Sequence, residues 1–420
     1  MKPGIVFLAT GAVLVFCILV AGCTQNLSGY IPSPGTSGNP VIDANNRFSF
    51  DLYSQLAGDA ANKDQNLFFS PWSISSAMAV TYEGARNKTA GKIRNVFHFP
   101  ENRIVLRDGY AGLNSGLNPN NPAYTLRTAN ALWAEKSWPF LPEYSRVALK
   151  SYGAHAENLD FVHDAEGSRN AINSWVGEKT DEKISHLVSP GEITPVTRLI
   201  ITNGIFFRGT WAKQFDQNKT ADQAFSLPSG GTIPVRMMAR NDRNAFFRYG
   251  ETDRVQVLEM PYVNGTGTPL SMFILLPREK NLDRLERSLD ARKFYELKRS
   301  LSKQLVMVYI PKFRLETRYD LSQNLAEMGM PAAFSPSADL SGMDGTQDLM
   351  IDKIIHNAYI DINEEGTEAA GATYVKIVLK GDSQPPQPPE FRADHPFIFI
   401  IQDTESGNIL FTGRVANPNG

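Results

Sequence analysis

The chain has 420 residues, of which 42% are hydrophobic and 20% charged, with a formal net charge of -2. That composition is globular, and the length suits one large or two ordinary domains. The near-neutral balance gives no reason to expect a nucleic-acid or other polyanionic partner.

The first 22 residues carry one Lys and then an apolar run from Ile5 to Gly22, long enough to border on a membrane span. The run ends in Val20-Ala21-Gly22-Cys23. Small residues before a cysteine resemble a prokaryotic lipoprotein signal, in which Cys23 becomes the lipidated first residue. An ordinary cleaved signal and an uncleaved anchor are the alternatives. All three place the remainder outside the cytoplasm, secreted or anchored to the outer face of the membrane. Cys17 and Cys23 are the only cysteines, so the rest of the chain has no disulfide, cysteine nucleophile or thiolate metal site. Residues 23–46 are rich in Ser, Gly, Pro and Asn and read as a flexible tether. Composition then stays even, so residues 47–420 read as one domain.

Phe48, Leu52, Tyr53 and Leu56 recur at helical spacing. "NLFFSPWSISSAMAVTYEGA" opens with a short apolar run, breaks at Pro71 and continues as a buried helix ending near Gly84. "SRNAINSWVGEKTDEKI" predicts a helix capped by Ser168. "TRLIITNGIFFRG" and "TPLSMFILLP" predict strands buried on both faces, and "NLDRLERSLDARKFYELKRSL" an amphipathic helical stretch with Leu282, Leu285 and Leu289 on one side. "KQLVMVYIPKFRLET", "IDKIIHNAYIDINEEG", "HPFIFIIQD" and "NILFTGRV" read as strands. Helices dominate the first half and strands the second, which argues for α+β with large sheets.

Signatures of enzyme chemistry are missing. There is no G-x-S-x-G elbow and no H-E-x-x-H, and "GARNKTAGK" has the wrong spacing for a phosphate loop, with Ile93 where a Mg²⁺-binding hydroxyl belongs. No cofactor or metal site is expected. Asn87-Lys88-Thr89, Asn218-Lys219-Thr220 and Asn264-Gly265-Thr266 are glycosylation acceptors in form.

Four further stretches share one resemblance. "NLFFSPWSI", "LIITNGIFFRGTW" followed by "FD", "IHNAYIDINEEGTEAAGAT" and "FRADHPFIFIIQDTESGNILFTGRVANP" occur in order. Together they resemble the shutter, breach-strand, hinge and C-terminal motifs of the serpins, and the match covers nearly all of residues 47–418. The resemblance implies an α+β fold with about nine helices and three β-sheets, an exposed reactive-centre loop, and a monomer. It implies no enzyme but an inhibitor of serine proteases, or cysteine proteases, acting as a suicide substrate. The protease cuts the loop and forms an acyl-enzyme, and the loop then inserts into the central sheet, the movement known as serpin loop insertion. A carrier or chaperone that does not inhibit is the alternative.

The same resemblance assigns residues. Glu364, Gly366, Thr367, Ala369, Ala370, Gly371, Ala372 and Thr373 match the hinge. Ser70, Ser73, Asn203 and His356 match the shutter, where strands part, with His356 expected to hydrogen-bond Asn203 and a serine. Trp211, Lys312 and Glu364 match the breach, where the loop enters. With Thr367 as the first inserted residue, the inward set Thr367, Ala369, Gly371 and Thr373 is small and uncharged, and Glu368 falls on the outward face. Counting from Glu364 puts the scissile bond at Lys380–Gly381, which suits a trypsin-like protease whose pocket carries a carboxylate. A register one residue shorter makes Leu379 the bait and a subtilisin- or chymotrypsin-like protease the target. The proline run after Gly381 reads as an extended spacer.

Overall fold

The computed structural model describes residues 37–117, 123–367 and 387–420. Cys23 and the hinge and bait residues Ala369, Ala370, Gly371, Ala372, Thr373, Leu379, Lys380 and Gly381 lie outside that set.

Helix α1 runs Pro40–Gly58, earlier than the expected domain start at Arg47. Asn39 caps it by accepting the Val41 N–H at 2.9 Å, and Pro40 sits at the first helical position, where a missing N–H costs nothing. Val41, Ile42 and Ala44 are buried together with the anticipated Phe48, Leu52, Tyr53 and Leu56. The expectation of a tether through Asn46 is therefore corrected: its last residues are core. Strand β1 (Leu67–Phe69) leads into α2 (Pro71–Gly84), every residue of which is buried. Pro71 opens this helix rather than breaking a pattern. Helices α3 (Asn87–Val96) and α4 (Arg103–Gly116) follow, then strand β2 (Tyr124–Glu135), helix α5 (Pro142–Tyr152) and strand β3 (His155–Leu159). Helix α6 is Ala165–Lys179, and its cap is Asp164, not Ser168. Asp164 Oδ1 accepts the Gly167 N–H at 2.9 Å, while Ser168 lies inside the first turn and donates to the Asp160 carbonyl.

The strands β4 (Leu199–Thr210), β5 (Ala221–Ser226), β6 (Thr232–Arg240), β7 (Phe246–Glu251), β8 (Val255–Pro261) and β9 (Leu270–Pro277) come next. The amphipathic stretch expected over residues 281–301 is two helices, α7 (Asp283–Ser288) and α8 (Ala291–Arg299). Asp290 ends the continuity by capping the second, accepting the Lys293 N–H at 2.6 Å. "KQLVMVYIPKFRLET" becomes three strands, β10 (Ser302–Leu305), β11 (Met307–Pro311) and β12 (Phe313–Asp320), each in a different sheet. The short helices α9 (Ser322–Glu327) and α10 (Ser341–Asp344) precede β13 (Lys353–Ile362), the two-residue β14 (Gly366–Thr367), β15 (Glu390–Arg392), β16 (Phe397–Asp403) and β17 (Ile409–Val415).

The described residues form ten α-helices and three sheets. A seven-stranded sheet has the order β1-β17-β16-β9-β8-β7-β10, and a four-stranded sheet β15-β11-β6-β5. The main sheet is β12-β13-β14-β4-β2-β3. Its inner face packs Leu199, Ile201, Ile205, Phe207, Ile354 and Ile360 into the principal core with α2. A second, smaller core lies on its outer face, where Ile172 and Val176 of α6 and Ile184, Leu187 and Val188 beyond it cover Trp133, Ile200 and Ile355. Among the described residues no helix is long and apolar enough to cross a membrane.

Candidate functional site: the seam of the main sheet

The site is the boundary between β4 and β13. These two strands pair in parallel from Lys353↔Ile200 to Tyr359↔Phe206. Above that zone they diverge, and β14 lies between them, antiparallel to both: Thr367 faces Ile362 on one side and Gly209 on the other, and Gly366 faces Thr210. Parallel pairing is slightly the weaker kind per residue, so the sheet's middle holds a weaker kind of contact, with the two-residue β14 seated at its upper end.

A two-residue hairpin produces this arrangement. Asn363 and Gly366 exchange backbone hydrogen bonds of 2.9 and 3.3 Å around Glu364 and Glu365. The Asn363 side-chain oxygen accepts the N–H groups of Glu365 and Gly366 at 3.0 and 3.3 Å, which tightens the turn. Gly366 has φ 148°, and a Cβ there would stand 2.1 Å from the Gly209 carbonyl oxygen. Only glycine fits between the strands at this point. Sequence reasoning placed Gly366 in the hinge but gave no reason for its being glycine; the close approach is created by a strand far away in sequence.

Trp211 locks the turn from the side. It is 2% exposed and stacks on Tyr262 with centroids 4.4 Å apart. Its Nε1–H donates to the Asn363 carbonyl at 3.0 Å, and its backbone N–H to Glu365 O at 2.8 Å. Glu364 does meet Lys312, with Nζ 2.8 Å from Oε2. The Glu364 side chain is only 6% exposed while Lys312 is 38% exposed, so this is a half-sunk pair and not a solvent-screened one. The Thr220 hydroxyl donates to the other carboxylate oxygen at 2.7 Å. Burial pushes the Glu364 carboxyl upward, but the Lys312 and Thr220 hydrogen bonds outweigh it and hold the group below its usual value.

The shutter residues meet lower on the seam. Asn130, Asn203 and His356 stand in register across β2, β4 and β13. Their side chains meet the N-terminus of α2 beneath the inner face, and Ser70, Ser73, Asn203 and His356 are all essentially unexposed. The Ser70 N–H donates to His356 Nε2 at 3.1 Å. An accepting Nε2 leaves the ring proton on Nδ1, which faces Asn203 Oδ1. Asn203 Nδ2 donates to Ser73 Oγ at 2.7 Å and also contacts Asn130 Oδ1, to which the Ser73 hydroxyl donates at 2.9 Å. Ser70 Oγ caps α2 at the Ser73 N–H and donates to the Leu410 carbonyl at 2.7 Å, tying the row to β17. Complete burial lowers the His356 pKa to about 3, against the opposing pull of its Asn203 contact. The ring is therefore neutral, and the network is closed only in that state.

Asn130 and Thr220 were missed from sequence. Asn130 sits in an unremarkable strand and joins the row only through sheet register. Thr220 was visible as part of a glycosylation acceptor, whose hydroxyl is instead spent on Glu364. The Asn87 acceptor is likewise occupied: Asn87 Nδ2 donates to Asp339 at 2.7 Å, and Thr89 is buried. Asn264 and Thr266 are exposed.

This geometry is shared with known proteins. Residues 43–418 match the family model described as serpin (serine protease inhibitor). An uncharacterized serpin-like protein of Methanosarcina mazei is 40% identical over 417 residues, covering 96% of both chains. The leukocyte elastase inhibitor of Bos taurus is 40% identical over 382 residues, covering 89% of this chain and 98% of its own. The crystal structure of Serpin48 from the insect Tenebrio molitor superposes with a TM-score of 0.78 at 33% identity, covering 90% of this chain and 98% of that one. With the family match spanning most of its length and the hinge seated at the head of a parallel seam, the chain belongs to the serpin family.

Proposed function

We propose that this protein inhibits serine proteases as a suicide substrate, by cleavage of its reactive loop, trapping of the acyl-enzyme and insertion of the loop into the main sheet. Serpins are typically protease inhibitors and not enzymes. The observation that carries the reading is the register at the seam. Ile362 and Gly209, which flank Thr367, are offset along the chain by the same number of positions as the parallel partners Tyr359 and Phe206. The Asn363–Gly366 hairpin can therefore lengthen residue by residue with no slip in either neighbour.

Continued in that register, Ala370 would enter between Phe206 and Tyr359, and Thr373 between Asn203 and His356. Residues 367, 369, 371 and 373 would fall on the inner face with Phe207, Ile205 and Asn203. All four are small and uncharged, so none forces the strands wider than a strand requires. Separating β4 from β13 breaks the Asn203–His356 contact, and the Thr373 hydroxyl would arrive at that level to bridge the two. Insertion exchanges one parallel ladder for two antiparallel ones. About ten added hydrogen bonds, at roughly 1 kcal/mol net each, supply on the order of 10 kcal/mol.

The bait in this reading is Lys380, with Gly381 on the leaving side and a trypsin-like target, or Leu379 with a subtilisin- or chymotrypsin-like one. The working form is a monomer, lipidated at Cys23 and held at the outer face of the membrane. The test is incubation with trypsin and with subtilisin, followed by a denaturing gel and mass spectrometry of the released C-terminal peptide. A covalent complex with a peptide beginning at Gly381 is expected, and the nicked protein should melt tens of degrees higher. Cleavage with no complex and no gain in Tm would overturn the reading in favour of a carrier.

A further inference from the structure

An acceptor for an asparagine-linked sugar is read at two places: the amide nitrogen that becomes bonded to the sugar, and the hydroxyl two residues on, which the transferase holds. A glycan that coexists with the native fold needs both of them clear of other contacts. Among the described residues Asn87, Asn218 and Asn264 head such acceptors, and Asn26-Leu27-Ser28, of the same form, lies outside that set. At Asn87 both groups are spent. Its Nδ2 donates to Asp339 at 2.7 Å, and the buried Thr89 hydroxyl accepts the Asp339 N–H at 2.9 Å. At Asn218 the amide is on the surface, donating to Asp216 at 3.2 Å. Its Thr220, however, is buried and donates to Glu364 at 2.7 Å. A transferase would reach that hydroxyl only by breaking a contact of the breach.

Asn264-Gly265-Thr266 differs at both places. All three residues are exposed, in the connection between β8 and β9. Among the described residues no hydrogen bond or ion pair engages the Asn264 or Thr266 side chain. The connection is rooted at both ends by other groups. Tyr262 stacks on Trp211, and its N–H donates to the Leu270 carbonyl at 3.0 Å. The Val263 N–H donates to the Thr210 carbonyl at 2.7 Å. The Thr268 hydroxyl donates to the Gly116 carbonyl at 2.8 Å. These ties hold the loop without using the two groups that an acceptor must offer.

We propose that Asn264 is a site of N-linked glycosylation, taking an oligosaccharide from a polyprenyl phosphate or pyrophosphate carrier once the chain has crossed the membrane. In the transfer, Asn264 Nδ2 bonds to the anomeric carbon of the sugar. The bond from that carbon to the carrier's phosphate oxygen breaks, the phosphate leaves with the electron pair, and the amide gives up one proton. The Thr266 hydroxyl is the group the transferase holds. The proposal rests on the extracytoplasmic reading, because the carrier presents its sugar on the outer face. A sugar at Asn264 leaves every root of the loop in place, whereas one at Asn87 displaces Asp339 from its amide. The glycan therefore stands beside the head of the seam, one residue beyond the Val263–Thr210 tie, and does not enter the sheet.

The experiment expresses the full chain with its leader in Methanosarcina mazei and labels intact cells with a membrane-impermeant amine reagent to mark exported protein. Intact glycopeptides are then read by mass spectrometry, because an Asn-Gly pair also deamidates and enzymatic release of a sugar leaves the same Asp. Sugar is expected on Asn264, with Asn87 and Asn218 unmodified. Asn264→Gln and Thr266→Val should each lose it, and Thr266→Ser should keep it. The melting curve of each variant checks that it folds. Exported, folded wild type that is bare at Asn264, or that carries sugar on Asn87 or Asn218, overturns the proposal alone. A chain that the reagent does not reach on intact cells overturns the extracytoplasmic reading and the proposal with it.

Discussion

Acid should open this molecule at His356. The ring is fully buried and its pKa is lowered from 6.5 to about 3. A state in which the ring meets water binds a proton at the ordinary value, so between those limits falling pH favours the open or unfolded chain over the native one. Stability from this group is complete above about pH 6.5 and is lost as pH falls toward 3. At 1.36 kcal/mol per unit the loss reaches roughly 3 kcal/mol by pH 4 and about 5 kcal/mol at the lower limit. Carboxylates also titrate there, so the measurement is a difference: urea unfolding of wild type and of His356→Gln at several pH values. The Gln amide can accept from Ser70 and donate to Asn203, but it cannot be protonated in this range. Wild type should lose about 3 kcal/mol more than the variant between pH 7 and pH 4. Parallel pH profiles for the two proteins would refute the assignment of His356 as a buried neutral hinge of the network.

Three other outcomes follow from the upper seam. Gly366→Ala sets a Cβ against the Gly209 carbonyl at an unfavourable φ, a strain of about 1–3 kcal/mol. Hydrogen exchange at the Trp211 and Phe215 amides, which donate to Glu365 and Glu364, should accelerate, and unchanged exchange would count against the contact. Lys312→Ala removes the charge that offsets burial of Glu364, at a cost of about 2 kcal/mol. In wild type the lowered Glu364 pKa adds stability above about pH 4.5 that is lost on acidification. In the variant the Thr220 hydrogen bond still opposes burial without the help of Lys312, so that contribution should shrink, which denaturation at pH 4 and pH 7 will show. Thr367→Arg puts a cation opposite Ile362 and Gly209, a burden of several kcal/mol on the first inserted residue. On the proposed inhibitory mechanism it should turn the protein into a substrate, and an undiminished yield of detergent-stable complex would sink the argument.

Secondary structure was legible where the pattern is local. The strands "LIITNGIFFRG" and "HPFIFIIQD" and the buried helix at Pro71 are where the apolar runs place them. Boundaries set by a single polar residue were misplaced: Asp164 rather than Ser168 caps α6, and Asp290 divides α7 from α8. The tether was drawn too long because Pro, Asn and Asp near residue 40 look like loop composition, while their roles as cap and first turn depend on a helix already packed against the core.

Much of the site is a product of register. The sequence by itself determined the small, uncharged hinge composition, the near-neutral charge balance and the motifs of the family. It contained no signal that Asn130 completes the shutter row or that Thr220 serves Glu364. Those contacts join strands and loops that are 73 and 144 positions apart. Pairing at such separation is decided by which strand lies beside which, and only the tertiary structure sets a parallel β4–β13 seam with a glycine wedged at its head.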